Sequence, residues 1–161
     1  MKSQAELFAE LDALKARLNA HRPLPADVVS QIREDMRIRF TYHSNAIEGN
    51  TLTMSETKAV LEDGITIGGK SLREHLEAVG HSHAIDYMEA LVQRDEALTE
   101  RTLKEIHSLI LRNIDGANAG TYRRMNVLIS GAGHIPPPAE RVPEKMESFF
   151  LWYGAARGEL H

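Results

Sequence analysis

A chain of 161 residues with 42% hydrophobic and 26% charged side chains has the size and composition to bury a core without disulfides or a structural metal. It contains no cysteine, which excludes disulfides, thiol catalysis and thiolate metal sites and fits a reducing cytoplasm. The net charge is −4 with Lys and Arg scattered, which argues against a nucleic-acid partner, and no run nears the roughly 20 apolar residues of a membrane span or forms a signal peptide, so a cytoplasmic protein with no membrane contact is expected.

The chain reads mostly as helix. Leu7, Leu11, Leu14 and Leu18 step by four, three and four, giving a narrow apolar stripe on a first helix. His21-Arg22-Pro23-Leu24-Pro25 ends it. A second helix is expected from about Asp27 to Ile47, with Val28, Val29, Ile32, Met36 and Phe40 on one side and Gly49-Asn50 as its stop. Thr53-Met54-Ser55-Glu56 is a capping box that opens a short helix to about Gly64. Ser71-Leu72-Arg73-Glu74 is another, opening a longer helix to about Val92. Thr99 caps a fifth helix whose buried side holds Leu103, Ile106, Ile110 and Leu111. Between Gly120 and Pro138 the helical period stops. Val127-Leu128-Ile129 is β-prone, Ser130-Gly131-Ala132-Gly133 is a turn, and His134-Ile135 returns as a second short strand before Pro136, Pro137 and Pro138. A last helix runs from about Pro143 to Ala156, with Met146, Phe149, Phe150 and Tyr153 on one face. The expected fold is an all-α bundle carrying one short β-hairpin.

Two stretches carry chemistry. In Ser44-Asn45-Ala46-Ile47-Glu48-Gly49-Asn50, Glu48 sits at a helix C-terminus, where the helix dipole disfavours a carboxylate unless a cation or donor meets it. Ser44 lies four residues earlier on the same face. Such a broken local rule marks functional sites, although a solvated glutamate in a loop is the plain reading. The hairpin at 120–138 has an exposed edge that can add a strand from another chain through main-chain bonds alone, and its prolines keep that edge from growing. An ordinary surface hairpin is the plain reading there. Among weaker candidates, His81-x-His83 diverge on a helix, and His75 and His83 share a face with no third ligand, so no metal site is expected. Glu74, Glu77 and His81 read as a solvated face. Phe149, Phe150 and Trp152 read as core. There is no P-loop and no G-x-G-x-x-G.

Together the two stretches resemble the Fic family. Ser44, Glu48 and Gly49 match its inhibitory motif [S/T]-x-x-x-E-[G/N], and the likeness extends through Ala46-Ile47-Glu48-Gly49-Asn50-Thr51-Leu52-Thr53. Gly120-Thr121-Tyr122-Arg123, then Val127-Leu128-Ile129 and Gly133-His134-Ile135-Pro136-Pro137, resemble the segment leading into the Fic flap. The resemblance covers about 38–161. It implies a division into 1–64, helices with the inhibitory motif, and 65–161, the N-terminal part of the Fic core. It implies transfer of AMP from ATP to a Ser, Thr or Tyr hydroxyl of a protein substrate, or its removal, with Mg²⁺. Ser44, Glu48, Gly49 and Asn50 would form the inhibitory site. Ile129, Ser130, Gly131, Ala132, Gly133 and His134 would cover the nucleotide, while Val127, Leu128 and Ile129 would align the target. The family's H-x-F-x-[D/E]-G-N-G-R-x-x-R, which supplies base, metal ligand and phosphate nest, is not in these 161 residues. No catalytic residue is therefore assigned, and the chain is expected to end before that segment, which becomes a partner, as does a second copy of the chain. Two other readings stand beside this one: an antitoxin-like regulator that supplies the Glu48 helix to a separate Fic enzyme, and a helical protein-interaction domain.

Overall fold

A computed structural model describes residues 2–158. Six α-helices follow in chain order: α1 (Gln4–Asn19), α2 (Ala26–Ile47), α3 (Met54–Asp63), α4 (Leu72–Gln93), α5 (Glu100–Leu111) and α6 (Val142–Ala156), with a 3₁₀ turn at Ala139–Arg141 before the last. Packing separates residues 1–37 from residues 38–161, the division falling inside α2.

In the first unit, Ser3 and Glu6 form a capping box that starts α1. The leucine stripe exists as spaced, and Leu7, Leu11, Leu14 and Leu18 are all about half exposed.

In the second unit the capping boxes at Thr53/Glu56 and Ser71/Glu74 form as expected. Thr99 caps α5, with Thr102 rather than an acid as the reciprocal partner. The core is built by α3, α4 and α5. Leu52, Val60 and Ala78 form its centre, with Ile67 and Val79 packed against them. Thr41, Thr57 and Ser82 are the largest fully buried side chains, so small hydroxyl residues occupy the tightest places. Gly80 explains how α4 and α5 approach so closely. A Cβ there would lie 2.8 Å from the Ile110 carbonyl oxygen and 3.0 Å from that of Leu109.

Two expectations change. First, among the described residues no strand forms at 127–135. The turn is present, with the Ala132 amide bonded to the Ile129 carbonyl at 3.2 Å and Gly131 at φ 76°, but its arms do not pair. An isolated two-stranded hairpin is marginal in water, and Pro136 to Pro138 have no N–H to donate. Second, α6 contributes no buried residue. Phe149 and Trp152 are 37% and 55% exposed. Their rings pack along α6 itself, with Phe149 5.2 Å from its chain neighbour Phe150 and 5.9 Å from Trp152, the latter because a spacing of three residues makes side chains neighbours on a helix surface.

Candidate functional site

Glu48 occupies the C-cap of α2. The Gly49 amide bonds to the Ala46 carbonyl at 3.1 Å and the Asn50 amide to the Asn45 carbonyl at 3.0 Å. This pair of bonds is a Schellman closure, and it requires the following residue to turn left-handed. Gly49 does so at φ 93°. A Cβ there would touch nothing within 4 Å, so the glycine is needed for its backbone and not for space. The last turn of α2 has no basic residue. The Glu48 side chain is exposed and makes no hydrogen bond or ion pair to the described residues. A carboxylate thus stands at the negative end of a helix with no cation or donor among the described residues to offset it, inside a turn whose backbone is fully bonded. Ser44 is half-buried one turn back, and no hydrogen bond joins it to Glu48 among the described residues.

The residues that follow Glu48 are tied to the first turn of α4. Asn50 donates from Nδ2 to the Glu74 carbonyl and to Glu77 Oε2, both at 3.0 Å, while its Oδ1 accepts from the Leu52 amide at 3.0 Å. Thr51 donates to Glu74 Oε1 from its amide at 2.9 Å and its hydroxyl at 2.6 Å. The other Glu74 oxygen accepts from the Ser71 amide at 2.7 Å and hydroxyl at 2.8 Å. Lys70 reaches the Thr51 carbonyl and hydroxyl, and Arg73 holds Glu77 Oε1 at 2.9 Å. The Thr51 hydroxyl, then the Ser71 amide, the Thr51 amide and the Ser71 hydroxyl push the Glu74 carboxyl down to about 2. Glu74 and Glu77, expected on a solvated face, are therefore both partnered. His81 departs from that face too. Its Nδ1 lies 3.1 Å from Thr41 Oγ1, its ring 5.5 Å from that of Phe40, and burial lowers its pKa. The sequence shows the Ser71/Glu74 box, but it carries no signal for the second set of bonds, which joins positions 23 residues apart.

The segment 120–138 is an open loop closed at its base. Gly120 donates to His107 Nδ1 at 3.0 Å and turns at φ 70°. Lys104 lies over the Tyr122 ring at 4.2 Å. Arg123 donates to the Met125 carbonyl at 2.8 Å and to the Pro137 carbonyl, and Asn126 Oδ1 accepts from the Ala139 amide at 2.8 Å. Val127, Leu128 and Ile129 run along one arm, Leu128 84% exposed. Ser130, Gly131, Ala132, Gly133 and His134 form the exposed tip. The loop offers apolar side chains and unpaired main chain to solvent. No hydrogen bond, ion pair or ring contact links it to residues 44–50 among the described residues. Asn126 went unnoticed in the sequence, and Arg123 was read there only as part of the Gly120-to-Arg123 stretch, because nothing local marks either as closing a loop.

Histidine serves structure. His75 is 6% exposed. Its Nε2 accepts from the Ile67 amide at 2.8 Å, so its Nδ1 carries the proton given to the Ser71 carbonyl at 2.7 Å. Among the described residues no three His, Asp or Glu side chains are placed to share a metal ion. None of the helices described is long and apolar enough to cross a membrane.

Residues 97–160 match the sequence profile of the Fic/DOC family. Over 154 residues the chain is 33% identical to a protein adenylyltransferase Fic from Culex quinquefasciatus, covering 95% of this chain and 30% of that one. Over 112 residues it is 40% identical to a protein of the same name from Nematostella vectensis, covering 69% and 26%. The chain thus spans from 26% to 30% of the length of these relatives. A solved Fic domain containing signaling protein from Bacteroides thetaiotaomicron is similar in structure, with a TM-score of 0.82 and 28% identity over 92% of this chain and 57% of that one. Fic-1 from C. elegans gives a TM-score of 0.74 and 30% identity over 92% and 43%.

Proposed function

The chain belongs to the Fic/DOC family, and on that premise we propose that it is the N-terminal, regulatory and target-aligning part of an autoinhibited Fic enzyme. The reaction moves AMP from ATP to a Ser, Thr or Tyr hydroxyl of a protein. The observation that carries the regulatory reading is the Glu48 carboxylate: exposed, without a partner among the described residues, and set at a helix C-cap whose backbone is bonded on both sides of it. Such a group competes for a cation, and the Arg that ends the Fic motif is the cation the reading supplies. An Arg held by Glu48 does not hold the γ-phosphate, and ATP then binds in an unproductive pose. Removing one member of a buried carboxylate–guanidinium pair costs about 3–5 kcal/mol, enough to set the resting state. The loop tip 129–134, with Ser130 and His134 and the small residues between them, covers the nucleotide. Val127, Leu128 and Ile129 present main chain, unpaired among the described residues except at the Ile129 carbonyl, to an extended target segment. The Mg²⁺ that the reading implies takes its protein ligand from the acidic residue of the Fic motif, which is not in these 161 residues.

The test is the initial rate of AMP transfer by the full-length protein. Glu48→Gly raises it by about tenfold or more, the equivalent of roughly 1.4 kcal/mol on the barrier. Glu48→Asp raises it less, because the charge stays and only reach is lost. Ser44→Ala has the smallest effect, as its hydroxyl makes no bond to Glu48. A Glu48→Gly rate within about twofold of wild type, only ~0.4 kcal/mol, overturns the regulatory reading.

A further inference from the structure

We propose that the first turn of α4 is a latch that holds the Glu48 turn in its inhibiting position, with Glu74 and Glu77 as positioning residues that act through Thr51 and Asn50. The inference rests on the reading of Glu48 given above. Between Glu48 and the latched residues lies a single position, Gly49, which the Schellman bonds hold left-handed and which has no neighbour within 4 Å of where a Cβ would stand. Those bonds are the last of the helix, and helix ends fray. Each opening of that turn lets Glu48 sample positions from which it cannot reach its cation, and that ordering must be supplied at every encounter. The bonds on the far side of Gly49 oppose the opening in advance. Glu74 does most of this. Its Oε1 takes both donors of Thr51, while its Oε2 is fixed by the amide and hydroxyl of Ser71 at the α4 N-cap. Glu77 takes the Asn50 amide nitrogen on one oxygen and Arg73 on the other. Glu74 thus accepts from four donors and Glu77 from two, and the position of the Thr51 backbone is referred to a helix that belongs to the core. Latch and carboxylate are coupled, so the state of α4's first turn sets how well Glu48 competes.

A double-mutant design tests this in the full-length protein by AMP-transfer rate, with melting temperature recorded for each variant. Glu74→Gln keeps the shape but cannot accept from four donors, since its Nε2 faces one of the two pairs. With Glu48 present it raises the rate by about fivefold or more, roughly 1 kcal/mol on the barrier. In the Glu48→Gly background it adds less than about twofold, because no carboxylate is left to position. Thr51→Val removes one hydroxyl from the latch and leaves the Ser71 cap intact. It raises the rate by about twofold to threefold under the same condition, and it decides the matter if Glu74→Gln does not fold. A structural role alone lowers the melting temperature without this dependence on Glu48. The latch is wrong if Glu48→Gly activates while Glu74→Gln and Thr51→Val leave the rate unchanged, or if their rise persists undiminished without Glu48. If Glu48→Gly itself changes nothing, the inhibitory reading has failed, and the latch goes with it.

Discussion

Alanine at position 80 opposes two effects whose sizes the structure separates. Replacing a glycine inside a helix with alanine normally gains about 1 kcal/mol from propensity. Here the added Cβ would lie 2.8 Å from the Ile110 carbonyl oxygen and 3.0 Å from the Leu109 carbonyl oxygen, both main-chain atoms of α5. Ordinary contact begins near 3.4 Å, so α4 and α5 must separate by about half an ångström along a packed face, and no side chain can swing aside to absorb it. Overpacking of this kind costs roughly 1–3 kcal/mol, and contact with backbone puts Gly80 at the upper end. We expect Gly80→Ala to lower stability by about 1–2 kcal/mol net, or by roughly 2–8 °C in melting temperature for a chain this long. Gly154→Ala in α6 is the matched control. Its Cβ would meet nothing within 4 Å, so it should be neutral or stabilising by up to about 1 kcal/mol. Thermal unfolding of both variants beside the wild type gives the answer. A Gly80→Ala protein that melts at or above the wild-type temperature would refute the close α4–α5 contact and the packing argument built on it.

Two further outcomes follow from the histidines. His75→Leu leaves the part-buried Ile67 amide without its acceptor and should cost about 1–3 kcal/mol, with faster hydrogen exchange at Ile67 as the local reading. Burial holds the His81 pKa below its ordinary 6.5. In the window just below pH 6.5 the unfolded chain therefore binds a proton that the folded chain does not, so stability falls as pH drops through that window. His81→Asn should flatten that part of the profile, measured as the denaturant midpoint against pH, and an unchanged slope would remove His81 as its cause.

Local chemistry made much of this protein legible from the sequence. Capping boxes at Thr53/Glu56 and Ser71/Glu74 act over three residues, and they form where their spacing put them. Gly49 stops α2 because a Schellman closure demands a left-handed residue, a demand a single glycine announces. The Ala46-to-Thr53 block pointed to the Fic family for the same reason: its signal lies in adjacent residues. What the tertiary structure alone decided are matters of distance between segments. Val127 to Ile135 has the residues of a hairpin, yet strand pairing depends on partners outside the segment, and the prolines withhold donors, so an open loop clasped by Arg123 and Asn126 formed instead. Phe149 and Trp152 have the hydrophobicity of core residues, but burial is set by what packs on a face, and on α6 they stay exposed. Gly80 gave a local cue, as a glycine within a helical run, without telling which backbone would approach it. Glu74 is the clearest case. Its role at the helix cap was readable three residues away. Its bonds to Thr51 exist only because α4 folds back beside the end of α2, and no local pattern encodes that meeting.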